Sequence, residues 1–143
     1  MKHKITPNTA LVVVDPQIDF FEGGALAVPD SNAVLNNIQK YIDLFELKKC
    51  RVFVTRDWHP REHCSFKAQK GIWPEHCVQN TRGAEFHPKL KIPKSATIIS
   101  KADTQEKDAY SGFEGTVLNQ LLKQGGITQI GVCGLATDYC VKQ

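Results

Sequence analysis

Four short runs rich in β-branched residues constrain this chain more than any other feature: "ALVVV" (10–14), "RVFVT" (51–55), "ATIIS" (96–100) and "QIGVCG" (129–134). Each is continuously apolar rather than alternating, which suits a strand buried on both faces of a parallel sheet. Parallel strands need long crossovers, usually helical. Between the first two runs, Val34, Ile38, Tyr41, Ile42 and Phe45 recur at helical spacing. They predict a helix over 31–48 with Asp30 or Ser31 as N-cap. Between the last two, Phe113, Val117, Leu118, Leu121 and Leu122 predict a second helix over 112–124, ended by Gly125-Gly126. The expected fold is α/β, a three-layer α/β/α doubly wound parallel sheet in a single domain spanning 1–143.

Composition narrows the function classes. No apolar stretch approaches the ~20 residues of a membrane-spanning helix. The opening "MKHKITPNTALVVV" joins positive charge to an apolar run, but the run meets Asp15 and no small-residue cleavage pattern follows, so it does not read as a signal peptide. A net charge of +3, with no basic block beyond "LKKCR", gives nucleic-acid or membrane partners no support. The five cysteines (50, 64, 77, 133 and 140) are odd in number and form no C-x-x-C pair. Reduced thiols in the cytoplasm are therefore expected, with one free for catalysis. The expected partner is a small-molecule substrate, and a homo-oligomer stays open.

Ligands of open α/β sheets sit beyond the carboxyl ends of the strands. Here the first run is followed by Asp15, the second by Arg56, Asp57 and His59, the third by Lys101, and the fourth by "LATDYC". Four runs thus deliver reactive groups to one edge. Cys140 follows Thr137 and Asp138, either of which could cap a helix beginning "DYCVK". A thiol in a first helical turn is expected to be acidified by the helix dipole. The plainer reading, a buried structural cysteine, fits Cys133 better. Asp15 could take the thiol's proton and return it to a leaving amine, and Lys101 could hold both groups charged. Taken singly, Asp15 also suits a turn before "PQ", and Lys101 a solvated surface position.

The segment 57–93 lacks periodicity and carries four histidines, and long loops of this kind inside a domain are usually functional. Asp57 and His59 alternate, so an extended backbone puts both on one face. His63 and His76 follow in the same loop. One carboxylate with two imidazoles suits Zn²⁺, Fe²⁺ or Mn²⁺ with positions left open. "DWHP" could equally be only a turn, and His87 reads as a surface histidine. Trp73 and Phe20 are candidate pocket walls, although single aromatics more often serve the core.

Five ordered blocks, "VVVDPQIDFFEGGALAVP", "VTRDWHPREHCSF", "WPEHCVQNTRGAEFHP", "SKADTQEKDAYSGFEGT" and "GVCGLATDYCVK", resemble the nicotinamidases of the isochorismatase-like cysteine hydrolases. The resemblance implies a catalytic triad of Asp15, Lys101 and Cys140. It implies metal ligation by Asp57, His59 and His76, with His63 at a position that some members also use, and Zn as the expected divalent ion, Fe or Mn being alternatives. Phe20 and Trp73 match aromatics that sandwich a pyridine ring, whose nitrogen would bind the metal. A cis peptide bond is implied between Ala136 and Thr137, and an oxyanion hole from the backbone N–H groups of Ala136 and Cys140. Pro16 departs from the family pattern without touching the Asp15 side chain.

The implied activity is hydrolysis of nicotinamide to nicotinate and ammonia through a cysteine thioester, feeding NAD salvage. A related amidase acting on another small amide is the alternative within the family. Members also continue past the position of Gln143, so the domain is expected to be C-terminally incomplete, its last helix and strand region absent. A truncated product would be a non-catalytic fragment that at most binds metal.

Overall fold

The computed structural model describes residues 4–143. The four apolar runs form β1 (Thr9–Val14), β2 (Arg51–Asp57), β3 (Thr97–Lys101) and β4 (Gln129–Gly134). All pairings are parallel and the spatial order is β3-β2-β1-β4. The chain therefore adds strands to one side of β1 and then crosses to its other side, which makes the β1/β4 junction the switch point where such sheets bind ligands. β1 is buried along its whole length. Its alternate residues face two separate cores, as a doubly covered strand requires.

Helix α1 (Ser31–Leu47) covers one face, where Leu35, Ile38, Ile42 and Phe45 pack against Leu11, Val13, Val52 and Val54. Helix α2 (Leu118–Gln124) covers the other, with Leu118 and Leu122 against Ala10, Val12, Val14, Phe53 and Ile99. The three-layer doubly wound sheet expected from the sequence is thus present. Burying a Leu, Ile or Val side chain contributes roughly 1.5–3 kcal/mol each, so these two clusters dominate the fold's stability.

Local details differ from expectation. The inner stripe of α1 includes Leu35, whereas Tyr41 is 49% exposed. Asp30, before α1, is in the left-handed region (φ 56) and makes no side-chain cap. The second helix begins at Leu118 rather than near 112. Gly115 has φ 67, which a continuing helix forbids, and the Thr116 hydroxyl donates to the Gly112 carbonyl within a tight turn. Phe113 and Val117 consequently lie exposed instead of forming part of an apolar stripe. Residues 137–142 form turns, not the helix expected at Cys140. The cis peptide lies between Leu135 and Ala136, one bond earlier than the motif alignment implied.

Glycine is sterically required at one strand end. At Gly134 (φ 129) a Cβ would lie 2.1 Å from the Val14 carbonyl oxygen, so only glycine lets β4 turn away against β1.

Candidate active site

Asp15 just past β1, Asp57 and Lys101 at the ends of β2 and β3, and Cys140 in the turns after β4 converge on one point, with Lys101 at its centre. The Lys101 ammonium, 1% exposed, lies 3.0 Å from Asp15 Oδ2 and donates a short hydrogen bond to Asp57 Oδ1. It also donates to the Ala109 carbonyl at 3.5 Å and approaches Cys140 Sγ at 3.6 Å. The solvated position that a strand-end lysine suits when taken singly does not apply, and Lys101 is a buried cation with three acidic neighbours, beside the other two residues of the expected triad. Burial alone would lower its pKa, but Asp15, Asp57 and Cys140 together raise it well above the ordinary value.

Asp15 is fully buried with φ 46, a backbone conformation that L-residues adopt rarely. Ala102, after β3, and Cys77, beside His76, share this left-handed geometry. Such strain concentrates where surrounding structure overdetermines a site. The Thr55 hydroxyl donates to Asp15 Oδ1 at 2.6 Å and fixes the carboxylate's orientation. Asp15 Oδ2 is left without a conventional hydrogen bond, despite its proximity to Lys101. Burial raises the Asp15 pKa above the usual carboxylate range, against the opposing pull of Lys101.

Asp15, Asp57 and Cys140 offer atoms that all lie within 4.8 Å of one another. The Cys140 thiol is correspondingly raised, first by burial and then by the charge of Asp15, with Lys101 opposing. This reverses the acidification expected from a helix terminus. The turns at 137–142 provide no helix dipole, and two nearby carboxylates oppose a third negative charge. The backbone N–H groups of Ala136 and Cys140 donate to no backbone carbonyl among the described residues. Both residues line the adjoining cavity.

A second group adjoins the first through Asp57. One Asp57 oxygen faces Lys101, while Oδ2 faces His59 Nε2 at 3.6 Å and His76 Nε2 at 3.9 Å. Burial pushes the Asp57 carboxyl up, but Lys101 and His59 outweigh it and hold the group well below the usual range. His59 Nδ1 is 3.2 Å from the Ala102 carbonyl, and His76 Nδ1 is 2.8 Å from that of Pro74. A carbonyl can only accept, so each Nδ1 carries a proton, and a neutral ring would turn its Nε2 lone pair toward the carboxylate. This is the ligand tautomer that a metal-binding pair requires. Asp57, His59 and His76 offer atoms within 4.8 Å of one another, all three residues buried, and fit a divalent cation.

His63 stands beside this group without joining it. Its ring centroid is 4.2 Å from that of His59. Its Nδ1 is 2.7 Å from the Ser65 hydroxyl, and its Nε2 is 3.0 Å from the Lys107 carbonyl. Both nitrogens are thus engaged, and His63 joins the histidine-bearing loop to the loop after β3. His87 packs on Phe21, ring centroids 4.5 Å apart, away from both groups.

Cys140 from the first group and Asp57, His59 and His76 from the second line one cavity of about 220 Å³. A cavity of about 150 Å³ holds benzene, so this volume suits one six-membered ring with a small substituent. Phe20 and Trp73 both line it, with His59, His76 and Cys140. Tyr110 and Tyr139 also line it and were not anticipated. Trp73 Nε1 donates to the Tyr110 hydroxyl at 3.0 Å, and the Trp73 and Tyr139 rings meet edge to face at 5.3 Å. Thr55 and Gln17, whose roles depend on contacts across the sheet edge, were likewise missed. "DAYSG" and "TDYC" carried the only signal, an aromatic next to a strand-end motif.

The nicotinamidase of Escherichia coli (strain K12) is 38% identical, the match covering 95% of this chain and 74% of that enzyme. The nicotinamidase/pyrazinamidase of Mycobacterium tuberculosis is 39% identical over 94% of this chain and 75% of its own length. The crystal structure of Pyrococcus horikoshii pyrazinamidase in complex with zinc superposes with a TM-score of 0.92 at 49% identity, over 95% of this chain and 75% of that one. The isochorismatase domain pattern matches residues 9–143, so every element that builds the cavity lies within it, and the chain belongs to the isochorismatase family.

Proposed function

We propose that the chain is a metal-dependent nicotinamidase, hydrolysing nicotinamide to nicotinate and ammonia, with Cys140 as nucleophile, Asp15 as general acid and base, and Lys101 as the cation between them. The observation that carries this reading is Lys101 bridging Asp15 and Asp57, because it locks a thiol–carboxylate pair to a two-imidazole cluster, with Cys140 and the imidazoles lining one ring-sized cavity. The sequence similarity to enzymes named nicotinamidase supports the choice of substrate.

In this reading Asp15 Oδ2 receives the Cys140 proton, and the thiolate attacks the carboxamide carbon. A proton passing from the thiol to the carboxylate leaves the net charge of the pair unchanged, with Lys101 beside whichever anion remains. The N–H groups of Ala136 and Cys140 hold the tetrahedral oxyanion, worth roughly 3 kcal/mol per donor in other acyl-transfer enzymes. Asp15 returns the proton to the nitrogen, the C–N bond breaks, and ammonia leaves a thioester. Asp15 then takes a proton from water, whose oxygen attacks the thioester carbon; the C–S bond breaks, Asp15 returns that proton to the sulfur, and the nicotinic acid released ionises to nicotinate.

Asp57, His59 and His76 would hold the metal, Zn²⁺ in the first instance with Fe²⁺ or Mn²⁺ as alternatives. When bound, it supplies a Lewis-acidic anchor for the pyridine nitrogen. Phe20 and Trp73 flank the ring, and orientation by such contacts is a large part of the expected rate gain. Nicotinate release would serve NAD salvage, and a reducing compartment, the cytoplasm, suits a catalytic thiol. All five cysteines are free thiols.

The metal assignment is tested by elemental analysis and by chelation. Wild-type protein should carry close to one equivalent of metal and lose nicotinamide hydrolysis on chelation, with recovery on adding Zn²⁺. His76→Ala should retain little metal. Undiminished metal in His76→Ala would remove His76 from the ligand set.

A further inference from the structure

Gln17 is a buried polar side chain that none of the chemistry above uses. It is 0% exposed, two residues beyond Asp15. Its Oε1 accepts the Asp57 N–H at 2.8 Å, and its Nε2 donates to the Asp57 carbonyl at 2.7 Å and the Ala84 carbonyl at 3.0 Å. A primary amide carries the same donor and acceptor as a peptide group. β1 and β2 pair as far as Val13 and Val54, and the chain then leaves the strand at Asp15. The Gln17 side chain resumes that pairing at Asp57, the last residue of β2.

Asp57 has two directions to serve at once, Lys101 through one oxygen and the imidazoles through the other. A modest rotation about its backbone would misdirect both. The third Gln17 bond extends the restraint to the opposite side of the cluster. Ala84 belongs to a short 3-10 turn, Arg82–Ala84, in which a Cβ at Gly83 would lie 2.1 Å from the Asp19 carboxylate. Asp19 Oδ2 in turn accepts the Cys77 N–H at 2.7 Å, next to His76. One side chain therefore ties the strand bearing Asp57 to the segment that backs His76.

We propose that Gln17 is a positioning residue for the metal site, clamping the Asp57 backbone so that its carboxylate stays shared between Lys101 and the two imidazoles. This rests on the reading of Asp57, His59 and His76 as metal ligands. A merely structural amide would affect thermal stability and leave metal affinity alone.

The test uses the full chain, stripped of metal and titrated with Zn²⁺ against a chromophoric chelator, then with Co²⁺ by visible absorption. Gln17→Met keeps the length without the hydrogen bonds, and Gln17→Asn keeps the amide but withdraws it by one methylene. In each variant that circular dichroism shows to be folded, the Zn²⁺ dissociation constant should rise at least ~10-fold. The Co²⁺ bands should also change in position or intensity. A folded variant with wild-type Zn²⁺ affinity and a wild-type Co²⁺ spectrum overturns the proposal. Wild-type protein that binds neither metal would overturn the ligand reading, and the role of Gln17 with it.

Discussion

Lys101 shows how far a single residue's surroundings can depart from its usual character. A lysine after a strand is ordinarily solvated, and its position at the same edge as Asp15, Asp57 and Cys140, together with the family resemblance, suggested otherwise. The structure buries it against both carboxylates. The acidity of Cys140 was not legible in the same way. It depends first on burial and then on the charges of Asp15 and Asp57, far apart in sequence, which raise the thiol against the opposing pull of Lys101. Two consequences can be measured on the metal-free protein by site-resolved iodoacetamide labelling. The Cys140 labelling rate should keep climbing past the ordinary thiol range, pKa ≈ 8.5, with no plateau there. Asp15→Asn removes a negative neighbour, so the thiolate becomes easier to form and labelling at neutral pH should accelerate. The same substitution should reduce nicotinamide hydrolysis by roughly 10²–10⁴-fold, because the proton carrier is gone. Slower labelling together with unchanged hydrolysis would contradict the assigned role.

At the scale of elements, the strands were readable because continuous Val and Ile runs leave few alternatives, and all four appear within two residues of expectation. The second helix was overextended because Phe113 and Val117 fall at helical spacing by coincidence, while Gly112 and Gly115 set a turn. Space also restricts Gly112, where a Cβ would lie 2.8 Å from Thr55 Cγ2, next to the hydroxyl that orients Asp15. The histidine loop is ordered by local bridges, His59 to Val78 and Phe66 to Trp73, which no periodicity announces. Strand β4 depends on Gly134 in a more demanding way. Gly134→Ala would combine an unfavourable backbone conformation with a collision against Val14. It should destabilise the protein by about 2 kcal/mol or more. Urea denaturation reads this as a lower midpoint at unchanged slope. A wild-type midpoint would show that the β4 terminus can relax without loss.

For the whole molecule, the strand order brings Asp15, Asp57, Lys101 and Cys140 together from segments up to 125 positions apart, since 140 − 15 = 125. The general rule that ligands bind at the carboxyl edge made those four legible before any contact was known. Gln17, Thr55 and Tyr110 were not, since a buried amide, a hydroxyl and a ring-to-hydroxyl contact acquire their roles only after the sheet closes. The central claim is that this convergence makes a cysteine amidohydrolase for a pyridine carboxamide. Ammonia release from nicotinamide by the Zn²⁺-loaded chain, beside Cys140→Ala prepared identically, tests it most directly. Turnover by the wild type, with a loss of at least ~10³-fold in the variant, is the predicted result. An equally active Cys140→Ala variant, or a metal-loaded wild type that releases no ammonia, would contradict it.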